Sequence, residues 1–238
     1  MKLSRREAIR VSGATVAGLS MGVANPTDVV AKTKLIQEWP DHLVEGELRQ
    51  RADLPLNSDG SAPEHPSESA GDITGTIWRY TQGRAPEIEY DFRKMAIRLD
   101  SRGLATLGGT LRFSDLEGLP QRSYTTLLQC GAPQPTGIVK WTGVRFSDFA
   151  EMIGVQEPAH YCRIISHDGY WIDEEMPTMM DPQVMLVWLM NDAPIPPING
   201  APLRLVIPFR YGARSIKAVS EITFGSPGLP MREPPTRG

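Results

Sequence analysis

The chain has 238 residues and 40% apolar content, enough to bury one sizeable core or at most two small ones. A formal net charge of −3 excludes a globally basic nucleic-acid-binding surface, and no apolar run reaches the length of a membrane span. The 22 glycines and 21 prolines predict many turns, and therefore short strands in place of a helical bundle.

Lys2, Arg5, Arg6 and Arg10 form a basic head in which Ser4-Arg5-Arg6 is a twin-arginine pattern. A mild Gly/Ala/Ser-rich apolar stretch follows from Val11 to Ala24, with Gly22 and Ala24 as small residues at cleavage-compatible positions. A later cleavage near Ala31 is an alternative, as is an ordinary amphipathic N-terminal helix. The signal reading assigns residues 1–24 to twin-arginine export, a route that carries folded proteins, and predicts a periplasmic, acidic product. Residues 25–75 read as an extended, partly disordered lead-in, because Asn57 to Gly71 offers almost nothing to a core.

Strand-like segments begin near Ile77-Trp78-Arg79-Tyr80. Ile88, Tyr90 and Phe92 alternate, as do Met95, Ile97 and Leu99, which predicts antiparallel pairing with one wet face. An echo, Arg112-Phe-Ser-Asp-Leu and Arg145-Phe-Ser-Asp-Phe, predicts two short helices capped by Ser114 and Ser147. Glu117 would complete a capping box for the first, and Gly154 would end the second.

Cys130 and Cys162 are the only cysteines. In an exported chain they could form a disulfide, and no histidine cluster supports a zinc site. Cys130 has a second reading, because it ends the run Tyr124-Thr-Thr-Leu-Leu-Gln-Cys and opens into Gly131-Ala132-Pro133. A thiolate at the end of a buried strand is placed to ligate a metal from a rigid element. Cys162, in Tyr161-Cys-Arg-Ile-Ile, reads as a small buried strand residue. His167 reads as an exposed turn residue, and Asp173-Glu174-Glu175 as a solvated loop in preference to a calcium site. Asp181-Pro182 then predicts a helix start. The run Val184 to Met190, apolar on every side, predicts that the helix is buried.

Asn199 to Lys217, NGAPLRLVIPFRYGARSIK, gathers Arg204, Arg210, Arg214 and Lys217 around one strand and one glycine turn. Leu203, Leu205 and Ile207 alternate with Arg204 and Val206, giving a strand with two different faces. Cations beside an adaptable backbone suit an anion with several oxygens, such as a phosphate, although an exposed basic hairpin would share the pattern.

This stretch closely resembles the pterin-binding segment of the sulfite oxidase family of molybdenum enzymes, in which N-G-x-P-L/I-R-L-V-x-P leads to Y-G-x-R/K-S/G-I/V-K. The resemblance implies a molybdenum-molybdopterin cofactor contacted by Asn199, Arg204, Ser215, Ile216 and Lys217. It implies that Cys130 is the molybdenum ligand, because the family places that cysteine after a strand ending T-L-x-C, about 70 residues before the N-G-x-P motif. Here the separation from Asn199 is 69 residues. Trp141-Thr-Gly is similar to the W-x-G that follows, and Ser166 maps to a cofactor-contacting hydroxyl. The implied fold is a mixed α+β, strand-rich, barrel-like molybdopterin-binding domain over residues 76–224, with a flexible tail at 225–238.

The substrate side of the resemblance is incomplete. Arg214 matches a substrate-facing arginine of the oxidases, Arg79 matches a second loosely, and Tyr170 is the candidate tyrosine. Where oxidases follow the cysteine with G-N-R-R, this chain has Gly131-Ala132-Pro133-Gln134. The implied reaction is two-electron oxygen-atom transfer on a small substrate such as sulfite. The alternatives are reduction of sulfoxides or N-oxides, and a non-catalytic exported binding module with a Cys130–Cys162 disulfide. With no haem, flavin or iron–sulfur motif in the sequence, electrons would pass to or from a separate carrier, such as a periplasmic cytochrome or a membrane haem protein.

Overall fold

The computed structural model describes residues 51–75 and 77–235, so the predicted export segment lies outside the described residues. Two five-stranded sheets form the frame. The first takes the order β2-β1-β10-β5-β6, from β1 (Ala96–Asp100), β2 (Gly109–Arg112), β5 (Tyr161–Ser166), β6 (Trp171–Glu175) and β10 (Val219–Gly225). The second takes the order β3-β4-β7-β8, from β3 (Gln121–Gln129), β4 (Thr136–Arg145), β7 (Met185–Met190) and β8 (Ala193–Pro194), with β9 (Arg204–Val206) also paired to β7. The sheets stay open and do not close into one barrel, and β1 runs parallel to β10 although the remaining pairings are antiparallel.

The largest core fills the space between the sheets, from Ile97 and Leu99 of β1, Ile164 of β5, Ile222 and Phe224 of β10, and Leu186 and Trp188 of β7. Phe113 packs edge-on against Phe92 and Trp188 at the border of this core, with centroid separations of 4.9 Å and 5.3 Å. Such pairs contribute about 0.5–1.5 kcal/mol each beyond the area they bury. A second cluster, including Val139, Trp141, Met185, Val187 and Val206, covers the opposite face of the second sheet.

That double burial explains the main departure from the sequence reading: residues 181–190 form no helix. Asp181 instead closes a turn, accepting from Gln183 N–H and Val184 N–H, and β7 follows. A strand covered on both faces is a continuous apolar run, which periodicity cannot tell from a buried helix. A bulge opposite Thr142/Gly143 further disrupts its alternation. At that bulge the backbones approach closely, and any side chain at Gly143 would meet Leu186 O at 2.0 Å. The glycine of Trp141-Thr-Gly is therefore a packing requirement.

Other local expectations also shift. Residues 77–80 and 88–92 carry no strand: a turn with positive φ at Gln82 and Gly83 interrupts the first, and Phe92 opens a 3-10 helix, Phe92–Lys94, after the second. Helix α1 (Phe113–Leu116) starts after Arg112, whose N–H is met by Asp115 Oδ2 at 2.7 Å, so neither Ser114 nor Glu117 caps it. Helix α2 (Phe146–Ile153) follows Arg145 with no side-chain cap. It is fixed instead by burying Phe146, Phe149, Ala150 and Ile153 at helical spacing, and it ends at Gly154. The acidic run is no loop: Asp173, Glu174 and Glu175 belong to β6, where Arg163 and Arg214 meet the first two. A four-residue helix, α3 (Met176–Met179), follows.

Residues 51–75 run along the second sheet, with Ala52 N–H on Gly131 O, His65 N–H on Thr125 O and Gly71 N–H on Ile138 O. Beyond β10, Pro230 O accepts from Arg163 Nη1 at 2.8 Å. No described helix is long and apolar enough to cross a membrane.

Candidate cofactor and active site

The β3–β4 hairpin carries Cys130 in its six-residue connection. β9 carries Arg204, β5 ends at Ser166, and the segment Gly212–Lys217 leads into β10. These chain ends converge on a cleft that is open to solvent at its mouth. Cys130, Arg204, Ser166, Ser215, Lys217, Arg79 and Tyr170 all line it. Four of these come from segments more than thirty residues apart in the chain, so the fold gathers most of the predicted set in one place.

Arg204 is the central feature. Both faces of β9 are buried, Leu203 and Leu205 in the main core and Val206 in the second cluster, so Arg204 has nowhere to reach bulk water. It is 3% exposed, its Nη1 donates to Asn199 O at 2.7 Å, and its guanidinium lies 4.9 Å over the Trp141 ring. Its Nε has no hydrogen-bond partner, and no carboxylate pairs with it among the described residues. Desolvation lowers its pKa to about 10. Lys217 sits 4.1 Å over the Trp78 ring with its ammonium donating to Ile77 O. Burial first, then the nearby charge of Arg204, push its pKa down to about 7, opposed by Asp168.

Asn199 and Ile216 stand behind the cleft wall. Asn199 fixes Arg204 through its carbonyl and leaves its own buried Oδ1 unpartnered. Ile216 is a core residue whose O accepts from Leu205 N–H at 2.8 Å. Ser215 Oγ is engaged by Ile207 N–H at 3.0 Å. Gly200 lets Lys217 pack against the turn: at φ +111° it lies so close that a Cβ would meet Lys217 Cβ at 2.8 Å. Tyr170 donates from its hydroxyl to Ala213 O at 3.0 Å, and Arg79 lies 5.2 Å over its ring.

Arg214 departs from its expected place. It is absent from the cleft lining, its Nε donates to Glu174 Oε1, and its Nη2 donates to Asp173 O. The two cysteines are also separated. Both are free thiols; Cys130 lines the cleft, whereas Cys162 is buried in the main core, where desolvation first and then Asp173 and Glu174 raise its pKa. The disulfide alternative therefore has no structural basis. His167 is exposed, as expected.

Sequence reasoning missed Trp78, Leu128, Pro135 and Asp168 as lining residues. Trp78 falls in a segment that reads as a strand, and Asp168 sits in the turn before Gly169, so neither carries a distinguishing local signal. The lining holds three cations, Arg79, Arg204 and Lys217, against one carboxylate, Asp168.

The profile of the oxidoreductase molybdopterin-binding domain matches residues 84–227, more than half of the chain. The chain belongs to this family, that of sulfite oxidase. It is 27% identical over 127 residues to the putative protein-methionine-sulfoxide reductase subunit YedZ1 of Azospira oryzae, covering 53% of this chain and 48% of that protein. It is 26% identical to human mitochondrial sulfite oxidase over 87% of this chain and 43% of that protein. The fold matches the sulfane dehydrogenase SoxCD of Paracoccus pantotrophus with a TM-score of 0.53 and 18% identity, over 85% of this chain and 59% of that one. The chain thus spans about half the length of the curated relatives it matches.

The cleft fits the family's cofactor on its own chemistry. A buried guanidinium without a carboxylate, beside a second desolvated cation and an unpartnered amide oxygen, is a costly arrangement that an anionic, hydrogen-bonding ligand would relieve. A pterin bearing a phosphate supplies both the anion and the hydrogen-bonding groups, and Cys130 presents a soft sulfur donor to its metal.

Proposed function

We propose that the chain is a molybdenum-dependent oxidoreductase that reduces a small, uncharged sulfoxide-type substrate. In this reading Cys130 holds the metal, Arg204 and Lys217 hold the pterin and its phosphate, and Asn199 fixes Arg204 from behind the cleft wall. Leu128, Pro135, Trp78 and Tyr170 form the apolar wall that excludes water around the substrate. When bound, the cofactor supplies the two-electron centre for oxygen-atom transfer. The overall conversion takes two electrons and two protons, breaks the S–O bond, and releases the thioether and one water.

The observation that carries the substrate class is Arg214. An oxyanion such as sulfite calls for convergent cations, yet Arg214 is turned onto Glu174 and the Cys130 loop contains no arginine. Arg204 and Lys217 are committed to the pterin, which leaves Arg79 as the single cation at the mouth. The likeness to the Xanthomonas axonopodis protein-methionine-sulfoxide reductase catalytic subunit, 30% over 106 residues and 37% of this chain, supports the same class. Electrons arrive from a separate carrier, with a periplasmic cytochrome or membrane haem protein as the natural type, and the twin-arginine pattern at residues 4–6 supports a periplasmic setting. Sulfite oxidation is the second reading, favoured by Arg79.

The test is turnover of the loaded full chain with an alkyl or methionine sulfoxide plus a reduced dye, against turnover of sulfite plus an electron acceptor. Sulfoxide reduction is expected to dominate, and Cys130→Ser to remove it without loss of folding. Preferential sulfite oxidation would overturn the substrate class, and wild-type turnover by Cys130→Ser would overturn the metal assignment.

A further inference from the structure

We infer that Gln129 is a positioning residue that sets where the Cys130 sulfur stands in the cleft, an assignment that rests on the cofactor reading above. Gln129 ends β3 and is 8% exposed. Its side chain turns into the hairpin connection instead of the core. Nε2 donates to Cys130 O at 2.9 Å and to Ala132 O at 3.0 Å, and Oε1 accepts from Thr136 Oγ1 at 2.7 Å. Both N–H groups of the amide are therefore spent on the loop, and its carbonyl on the first residue of β4.

The loop needs such a brace. Residues 130–135 contain Gly131, Pro133 and Pro135; besides the Gln129 amide, Cys130 N–H donating to Pro135 O at 2.9 Å crosses the loop, and Ala52 N–H meets Gly131 O at 3.0 Å from outside it. Without the amide, Cys130 O and Ala132 O would lose the donor that holds them. The Cys130 backbone would then hinge about one residue. A metal ligand has to be held within about 0.5 Å of its productive position by neighbours whose own rotamers are locked, and Gln129 is locked at three points. Glutamate at this position has the same size and shape but no donors, and it would set negative charge against two carbonyl oxygens.

The experiment compares the rate of iodoacetamide labelling of Cys130 in the full chain prepared without cofactor, for wild type, Gln129→Glu and Gln129→Ala. Buried Cys162 in the same molecules serves as the internal control. Loss of the two amide hydrogen bonds to the loop is expected to raise Cys130 labelling by roughly tenfold or more, with Cys162 still protected. Thr136→Val, which removes only the third contact, is expected to raise it less. In the loaded enzyme the Gln129 variants should keep their pterin but give a molybdenum paramagnetic-resonance signal shifted from wild type. Labelling within twofold of wild type in both Gln129 variants, or parallel exposure of Cys162, would overturn the assignment. Absence of molybdenum from the wild type would instead overturn the cofactor reading and leave the labelling result interpretable.

Discussion

Arg204 and Arg214 lie ten residues apart in one basic stretch and meet opposite environments. Arg214 is paired with Glu174, and nearby Arg163 forms a two-pronged contact with Asp173 at 2.6 Å and 2.7 Å. Arg204 is the more buried, yet it rests on an indole face and a backbone carbonyl with no acid among the described residues. Paired guanidinium groups fasten β5 and β6 and the residues beyond β10 to one another. The unpaired one is a cost the cofactor-free fold bears, and in the proposed enzyme the ligand's phosphate relieves it. Within one short segment, charge alone says nothing of role; the partner decides it.

Four substitutions test this contrast, in descending order of expected effect. Arg204→Met should lower pterin content more than tenfold while leaving the cofactor-free chain as stable or about 1–3 kcal/mol more stable, because it removes an uncompensated buried charge. Arg163→Met should do the reverse, costing about 2 kcal/mol in denaturant unfolding by stranding Asp173 while leaving pterin content intact. The third test uses pH. Folded Lys217 titrates near 7 and an unfolded lysine near 10.5, so between these values the unfolded chain holds a proton that the folded one has released. Stability of the cofactor-free chain should therefore rise with pH across that window and gain nothing from this group below about 7. Urea midpoints of Lys217→Met should lack this increment; an unchanged pH slope would remove Lys217 from the buried cation pair. The smallest effect is expected for Arg214→Lys, about 0.5–1 kcal/mol, since this arginine is 38% exposed and lysine keeps a cation beside Glu174, with pterin content unaltered.

Much of the site was legible because it is written in contiguous segments. Cys130 at a strand end, the Asn199–Lys217 run and Ser166 each carry a local pattern, and the structure brings them to one cleft. Arg214 carries the same local pattern and points elsewhere, because its position is settled by Glu174, a residue forty positions away on β6. The strands β1 and β9 were legible from alternation, whereas β7 was not, since burial of both faces removes the alternation that marks a strand. Gln129 and Trp78 escaped notice for a related reason: what they do depends on which loop they face, and no short-range pattern encodes that.

Molybdenum and pterin contents of the full chain, purified from a molybdenum-replete host, test most directly whether the cleft around Cys130, Arg204 and Lys217 holds the cofactor. One molybdenum and one pterin per wild-type chain are predicted, with pterin lost in Arg204→Met and metal lost in Cys130→Ser. A folded wild-type chain with neither metal nor pterin, or an Arg204→Met chain that retains both in full, would contradict the account.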